Sequence, residues 1–176
     1  MKSDPEILFE GKHVRLVRLG HWEYATRPGI SGIVGIVAVT DEGKLLLVEQ
    51  LRPPFGKNVI ELPAGLAGDV VGHETEALAD AAARELLEET GYAATTIEYL
   101  GEGTSSAGIT DEIITLFRAT GIKKVGAGEG DGSEQITVHE VAVAEVADWL
   151  KARRDEGKLI DLKVYGALYF VGPSIE

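Results

Sequence analysis

Residues 81–91 read A-A-A-R-E-L-L-E-E-T-G, and the spacing of their charges constrains the fold more than any other stretch. At about 3.6 residues per turn, Glu85, Glu88 and Glu89 stand at i, i+3 and i+4 and leave one helix face together. Ala79, Ala82, Ala83, Leu86 and Leu87 fall on a separate arc that can pack into a core. Like charges at this spacing repel, at a cost of roughly a few tenths of a kcal/mol per pair. A helix that keeps three carboxylates beside one arginine, Arg84, calls for something to neutralise them. Oxygen donors at this density suit a hard cation such as Mg2+ or Mn2+. The plain alternative is a solvated acidic face, which is common on helices. The spacing predicts a helix over residues 76–90, with Thr75 as its N-cap and Gly91 just past its end.

The whole chain sets further bounds. At 176 residues it predicts one domain with a substantial core. There is no cysteine, so disulfides and thiolate metal sites are excluded. A net charge of −12 argues against a nucleic-acid or anionic-membrane surface. It also means that an anionic substrate needs local cations in order to bind. The first ten residues show no apolar h-region, and no apolar run reaches membrane-spanning length, so a cytoplasmic location is expected. His13, His21, His73 and His139 show no ligand spacing.

Taken in order, residues 7–9, 13–19 and 21–26 read as short strands with little core of their own. Residues 33–39 are a continuous apolar run, the sign of a buried strand. Residues 44–51 return as its neighbour, and 59–62 form another short strand. Residues 65–72 read as a glycine-rich loop ahead of the helix. Strands are predicted at 95–100 and 112–120, with a loop at 101–111 between them. Residues 123–133 are glycine-rich. A strand at 135–143, an amphipathic helix at 144–154 with Trp149 and Leu150 inward, and a helix at 161–170 complete the chain. Alternation of this kind gives an α/β class, a mixed sheet between helices.

The wider run E-x7-R-E-L-x-E-E-x-G-Y, from Glu76 to Tyr92, resembles the box that defines the Nudix hydrolases. One position departs: Val70 stands where that pattern has its leading glycine, and Gly65 of L-P-A-G-L takes this role across a longer loop. Three flanking segments and an N-terminal one resemble the ADP-ribose pyrophosphatase and nucleoside-diphosphate-sugar branch. They are residues 49–66 (E-Q-L-R-P-P-F-G-K-N-V-I-E-L-P-A-G-L), 106–112 (S-A-G-I-T-D-E), 130–138 (G-D-G-S-E-Q-I-T-V) and 22–27 (W-E-Y-A-T-R). The resemblance implies the Nudix fold, with an N-terminal antiparallel β segment at 1–28 as a dimerisation arm and a catalytic domain at 29–176. It implies a homodimer.

The same resemblance assigns roles. Glu85, Glu88, Glu89 and the Ala64 carbonyl hold Mg2+ or Mn2+. Arg84 orients the glutamates, its plain alternative being a surface pair with Glu88. Arg52 and Arg27 reach the diphosphate or a ribose, Trp22 stacks on the base, and Gly65 and Glu112 line the substrate. Each has a structural alternative: a solvated loop for the arginines, core or interface packing for Trp22, and a strand edge for Glu112. Glu134 is the expected general base, anchored at the start of the 135–143 strand, with Asp131 as its competitor because Ser133 is an extra residue. The implied reaction is metal-dependent hydrolysis of a diphosphate linkage, giving a nucleoside monophosphate and a sugar phosphate. Two other readings stay open: a pool-sanitising nucleoside triphosphate pyrophosphohydrolase, and a non-catalytic ADP-ribose sensor.

Overall fold

The computed structural model describes residues 4–70, 72, 74–128 and 135–171. The chain begins with β1 (Glu6–Glu10), β2 (Arg15–Leu19) and β3 (Trp22–Thr26), an antiparallel sheet in the order β1-β2-β3. Gly20 turns the β2–β3 hairpin with φ 63°, a left-handed conformation that suits glycine. Of this sheet's residues only Val17 is fully buried, which matches the short, half-apolar strands read from the sequence.

The apolar run becomes β4 (Gly32–Ala38), followed by β5 (Lys44–Arg52), β6 (Lys57–Glu61) and β7 (Ala64–Ala67). The segment expected to be loop from residue 65 is thus a strand at its start. Ala64 pairs with Gly35 and Ala67 with Gly32, so small residues complete a sheet edge without any β-branched signal. Helix α1 (Leu78–Thr90) comes next and ends on Gly91, in the left-handed conformation at φ 74°, as expected. Its start differs. The N-cap is Ala77 with no side-chain cap, two residues later than Thr75 requires. Glu76 stays outside the helix, with its carboxylate on Arg84.

β8 (Tyr92–Ala93), β9 (Thr96–Thr104) and β10 (Ile113–Thr120) follow. β9 runs four residues further than its apolar stretch, because Gly101 to Thr104 keep pairing with β10. β11 (Lys123–Lys124) pairs with β8, β12 (Thr137–Ala142) with β5, and β13 (Leu159–Ile160) with β6. A short 3-10 turn (Val143–Glu145) leads into α2 (Val146–Asp155), and α3 (Leu162–Val171) follows β13.

The two main sheets have the orders β7-β4-β10-β9 and β12-β5-β6-β13. In the first, β10 lies parallel to β4 while the outer pairs are antiparallel. Two cores result. One lies under α1, with Val34, Ile36, Ala82, Leu86 and Phe117. The other lies under α2 and α3, with Leu45, Leu47, Ile60, Leu150 and Val164. Mixed sheets between helices are the expected α/β sandwich. Leu87 departs from expectation: it is exposed, because the buried face of α1 runs through Ala81, Ala82, Leu86, Glu89 and Thr90. Trp149 is half-buried, packed edge-on against His139 at 4.9 Å. Among the described residues, no helix is long and apolar enough to cross a membrane.

Candidate active site

α1 leans on β4 and β7, so its charged face looks across the end of β7 into a cleft of about 590 Å³. Arg84, Glu85, Glu88 and Glu89 all line it, as the helical spacing predicts. Arg84 is the hub. It grips Glu76 with Nε at 3.1 Å and Nη2 at 3.0 Å, and donates from Nη1 to Glu85 at 2.8 Å and Glu88 at 3.2 Å. Nη2 also donates to the Leu66 carbonyl at 2.9 Å, which fastens the helix to β7. These bonds, Glu76 foremost, raise the guanidinium pKa further above its usual value. The surface i,i+4 pair with Glu88 is present, but as one of five hydrogen bonds among the described residues.

Glu85 is enclosed. Burial pushes its carboxyl pKa up to about 7, against the pull of Arg84. Gly65 makes room for it: a Cβ there would fall 2.0 Å from the Glu85 Cδ. Glu89 is buried, and its Oε2 accepts from the Ala64 backbone N–H at 3.0 Å. The same cleft carries arginines. Arg52 donates to Glu61 from Nε at 2.6 Å and Nη2 at 2.8 Å. Arg27 donates to Glu112 at 3.2 Å. The loop bearing Glu112 is held by the N-terminal sheet, since Ala25 N–H donates to the Ile109 carbonyl at 2.8 Å.

Most of the expected residues therefore meet in one cleft: Ala64, Gly65, Arg84, Glu85, Glu88 and Glu89 together with Arg27, Arg52 and Glu112. Trp22 does not line it; this residue is exposed on β3. Glu134 and Asp131 lie outside the described residues. The sequence reading passed over Glu61, Asp69, Ser105 and Lys163, which also line the cleft. Glu61 had a signal, a charge ending the apolar strand V-I-E-L, where a buried carboxylate needs a partner. Lys163, in an otherwise apolar helix, had none.

The donors suit a hard divalent cation. They are all oxygens and several are enclosed, and a bound cation would offset the burial that pushes the Glu85 pKa up. Among the described residues no three such side chains converge closely enough to hold an ion as they stand. The carboxylates turn instead to Arg84 and to the Ala64 N–H, which satisfy their charge. The donor chemistry fits a hard divalent cation.

The NUDIX domain model matches residues 31–162, three quarters of the chain. The chain belongs to the NUDIX family. It is 35% identical over 156 residues to a methanol dehydrogenase activator of Bacillus methanolicus, covering 85% of this chain and 82% of that one. It is 34% identical over 155 residues to an ADP-ribose pyrophosphatase of Bacillus subtilis, covering 84% and 81%. A solved structure, an ADP compounds hydrolase, superposes with a TM-score of 0.65 at 18% identity, over 84% of this chain and 80% of that one. That likeness bears on fold alone. The sequence reading of a Nudix enzyme is borne out at the level of family and fold.

Proposed function

We propose that this NUDIX protein hydrolyses the diphosphate linkage of ADP-ribose or a related nucleoside-diphosphate sugar. The observation that carries this is the meeting of two kinds of group in one cleft. Glu85 and Glu88, gathered by Arg84, and the nearby Glu89 line it together with Arg27 and Arg52. Carboxylates for a cation and arginines for phosphate oxygens are the two things a diphosphate needs in so acidic a protein. The Bacillus subtilis relative's name supports the same substrate.

Glu85, Glu88 and Glu89, with the Ala64 carbonyl, would hold Mg2+ or Mn2+. When bound, such an ion supplies Lewis acidity toward the diphosphate oxygens. The chain does the rest. Arg84 keeps the glutamates in register with β7. Arg52 binds the diphosphate, pre-aligned by the buried Glu61. Gly65 and Glu112 line the bound substrate. Glu134 takes the proton from the attacking water. Water adds to one phosphorus, the P–O–P linkage breaks, and ADP-ribose yields AMP and ribose 5-phosphate.

We extend the proposal to assembly. The NUDIX model begins at residue 31, so the N-terminal sheet lies outside it. Phe9 and Trp22 on this sheet are 65% and 56% exposed, an apolar surface suited to a second copy. Residues 1–28 serve as the arm of a homodimer, with Trp22 stacking on the base in the partner's cleft.

Product analysis on a nucleotide-sugar panel, with Mg2+ and then with EDTA, tests the reaction. AMP with ribose 5-phosphate, lost on chelation, is the expected result; turnover unaffected by EDTA would overturn it. Light scattering on the full chain tests the dimer, and a fully active monomer would refute it.

A further inference from the structure

Glu49 sits where the second main sheet loses its outer strands. β12 pairs with β5 only from Lys44 to Glu49, and β13 pairs with β6 only at Val59 and Ile60. Past these rungs β5 and β6 run on as a two-stranded overhang, with Leu51 opposite Asn58 and Arg52 opposite Lys57. Among the described residues no third strand joins it. Two strands alone are marginal in water, and Leu51 and Phe55 near the tip are exposed. Yet this overhang carries Arg52 into the catalytic cleft. Two side-chain ties fasten it, one on each face. Strand alternation puts Arg52 and Glu61 on one face, where the guanidinium reaches back to the buried carboxylate. It puts Glu49 and Asn58 on the other, the face of Leu45, Leu47 and Ile60 under α2 and α3. There Asn58 Nδ2 donates across the hairpin to Glu49 Oε1 at 2.8 Å. Glu49 is itself buried and held from both outer strands. Its Oε2 accepts from His139 Nε2 of β12 at 2.9 Å and from Lys158 Nζ, next to β13, at 2.8 Å.

We propose that Glu49 is a positioning residue for diphosphate binding: it pins the root of the β5–β6 overhang, so that Arg52 stands at a fixed place in the cleft. This rests on the hydrolase reading above. His139 and Lys158 tie Glu49 to the body of the sheet, and Asn58 ties the overhang to Glu49. Bending the overhang toward either face stretches the tie on the other, so the two opposed ties resist motion both ways. Hydrogen bonds to a charged group are the stronger kind, which suits Glu49 to the task. A guanidinium that meets phosphate oxygens in a planar, two-pronged geometry is sensitive to small displacements, and the overhang would otherwise supply them.

The test is a double-mutant cycle on the full chain, with ADP-ribose and Mg2+. Asn58→Leu keeps the size of an exposed side chain and removes its donor. It is expected to raise KM about fivefold, with kcat changed less than about twofold. In the Arg52→Ala background the same substitution is expected to change kcat/KM by less than about twofold, because its effect passes through Arg52. A loss of general stability would instead appear equally in both backgrounds. Lys158→Gln loosens Glu49 from the side away from the overhang, and is expected to raise KM in the same direction and to lose that effect with Arg52→Ala. Wild-type KM in both single variants, or an undiminished loss in the Arg52→Ala background, would overturn the positioning role and leave the hydrolase reading standing. A wild type that does not turn over ADP-ribose overturns both.

Discussion

Gly65 lies flat against the carboxyl group of Glu85, so close that a Cβ would sit 2.0 Å from Cδ and 2.2 Å from Oε1. The glycine is therefore a steric partner of a candidate ligand. Gly65→Ala is expected to displace the Glu85 carboxylate, the movable end of a side chain, while the strand stays paired with β4. Activity should fall by about 10- to 100-fold, the usual cost of disturbing a metal ligand's support, with melting temperature little changed. Equal Mg2+ dependence and turnover in wild type and variant would refute this.

The Arg52–Glu61 pair makes a second prediction. Glu61 is buried, and its two oxygens fix the guanidinium in a two-pronged grip. Glu61→Gln keeps the volume but loses one acceptor and the charge. KM should rise by about tenfold, equivalent to about 1.4 kcal/mol of lost binding, with kcat changed less. A fall in kcat alone, at constant KM, would place Glu61 in the chemistry instead of in binding.

A third prediction concerns acid. Glu49 is buried in β5 and accepts from Asn58 Nδ2 at 2.8 Å, Lys158 Nζ at 2.8 Å and His139 Nε2 at 2.9 Å. Burial alone pushes its pKa up; the three donors outweigh this and hold it at about 2, below the ordinary 4.5. The folded value is the depressed one, so the stability it confers is present above pH 4.5 and is lost as pH falls toward 2. The difference in unfolding free energy between wild type and Glu49→Gln should narrow by about 3 kcal/mol across that window. Urea titrations at several pH values measure it, and a constant gap removes the argument.

The base assignment makes the fourth. Glu134→Gln should lower kcat by about 10²- to 10⁴-fold, the usual cost of losing a general base, with metal affinity nearly unchanged. Asp131→Asn should cost less than about tenfold. If Asp131→Asn is the crippled variant, the inserted Ser133 has shifted the role.

What the sequence made legible follows from periodicity and charge. The carboxylate face of α1 was readable because helical spacing alone puts Glu85, Glu88 and Glu89 together. The Arg84–Glu76 grip was visible only as a spacing of eight, since Glu76 precedes the helix. β7 and the far half of β9 were hidden because alanine and glycine carry no strand signature, although their backbones pair as any others do. Lys163 reaches the cleft through the docking of α3, a tertiary fact that no local pattern encodes. Thr75 was a sound cap by type, but the helix starts two residues later, with Glu76 outside it and bound to Arg84.

The parallel pairing of β10 with β4 has a consequence for synthesis. Ile114 lies beside Ile33, roughly eighty residues earlier in the chain. A nascent chain thus leaves the ribosome with all of residues 81–91 made while the sheet that seats α1 still lacks its central neighbour. Such distant pairing is slow to form, because loop-closure entropy is spent before contacts reward it. Until β10 arrives, α1 has β4 and β7 to lean on but lacks the strand between β4 and β9. A cation that binds the finished domain alone stabilises it by mass action, so a divalent ion held as proposed would reward completion. Chains cut short before residue 120 lack the full β10 and are expected to gain less of that protection.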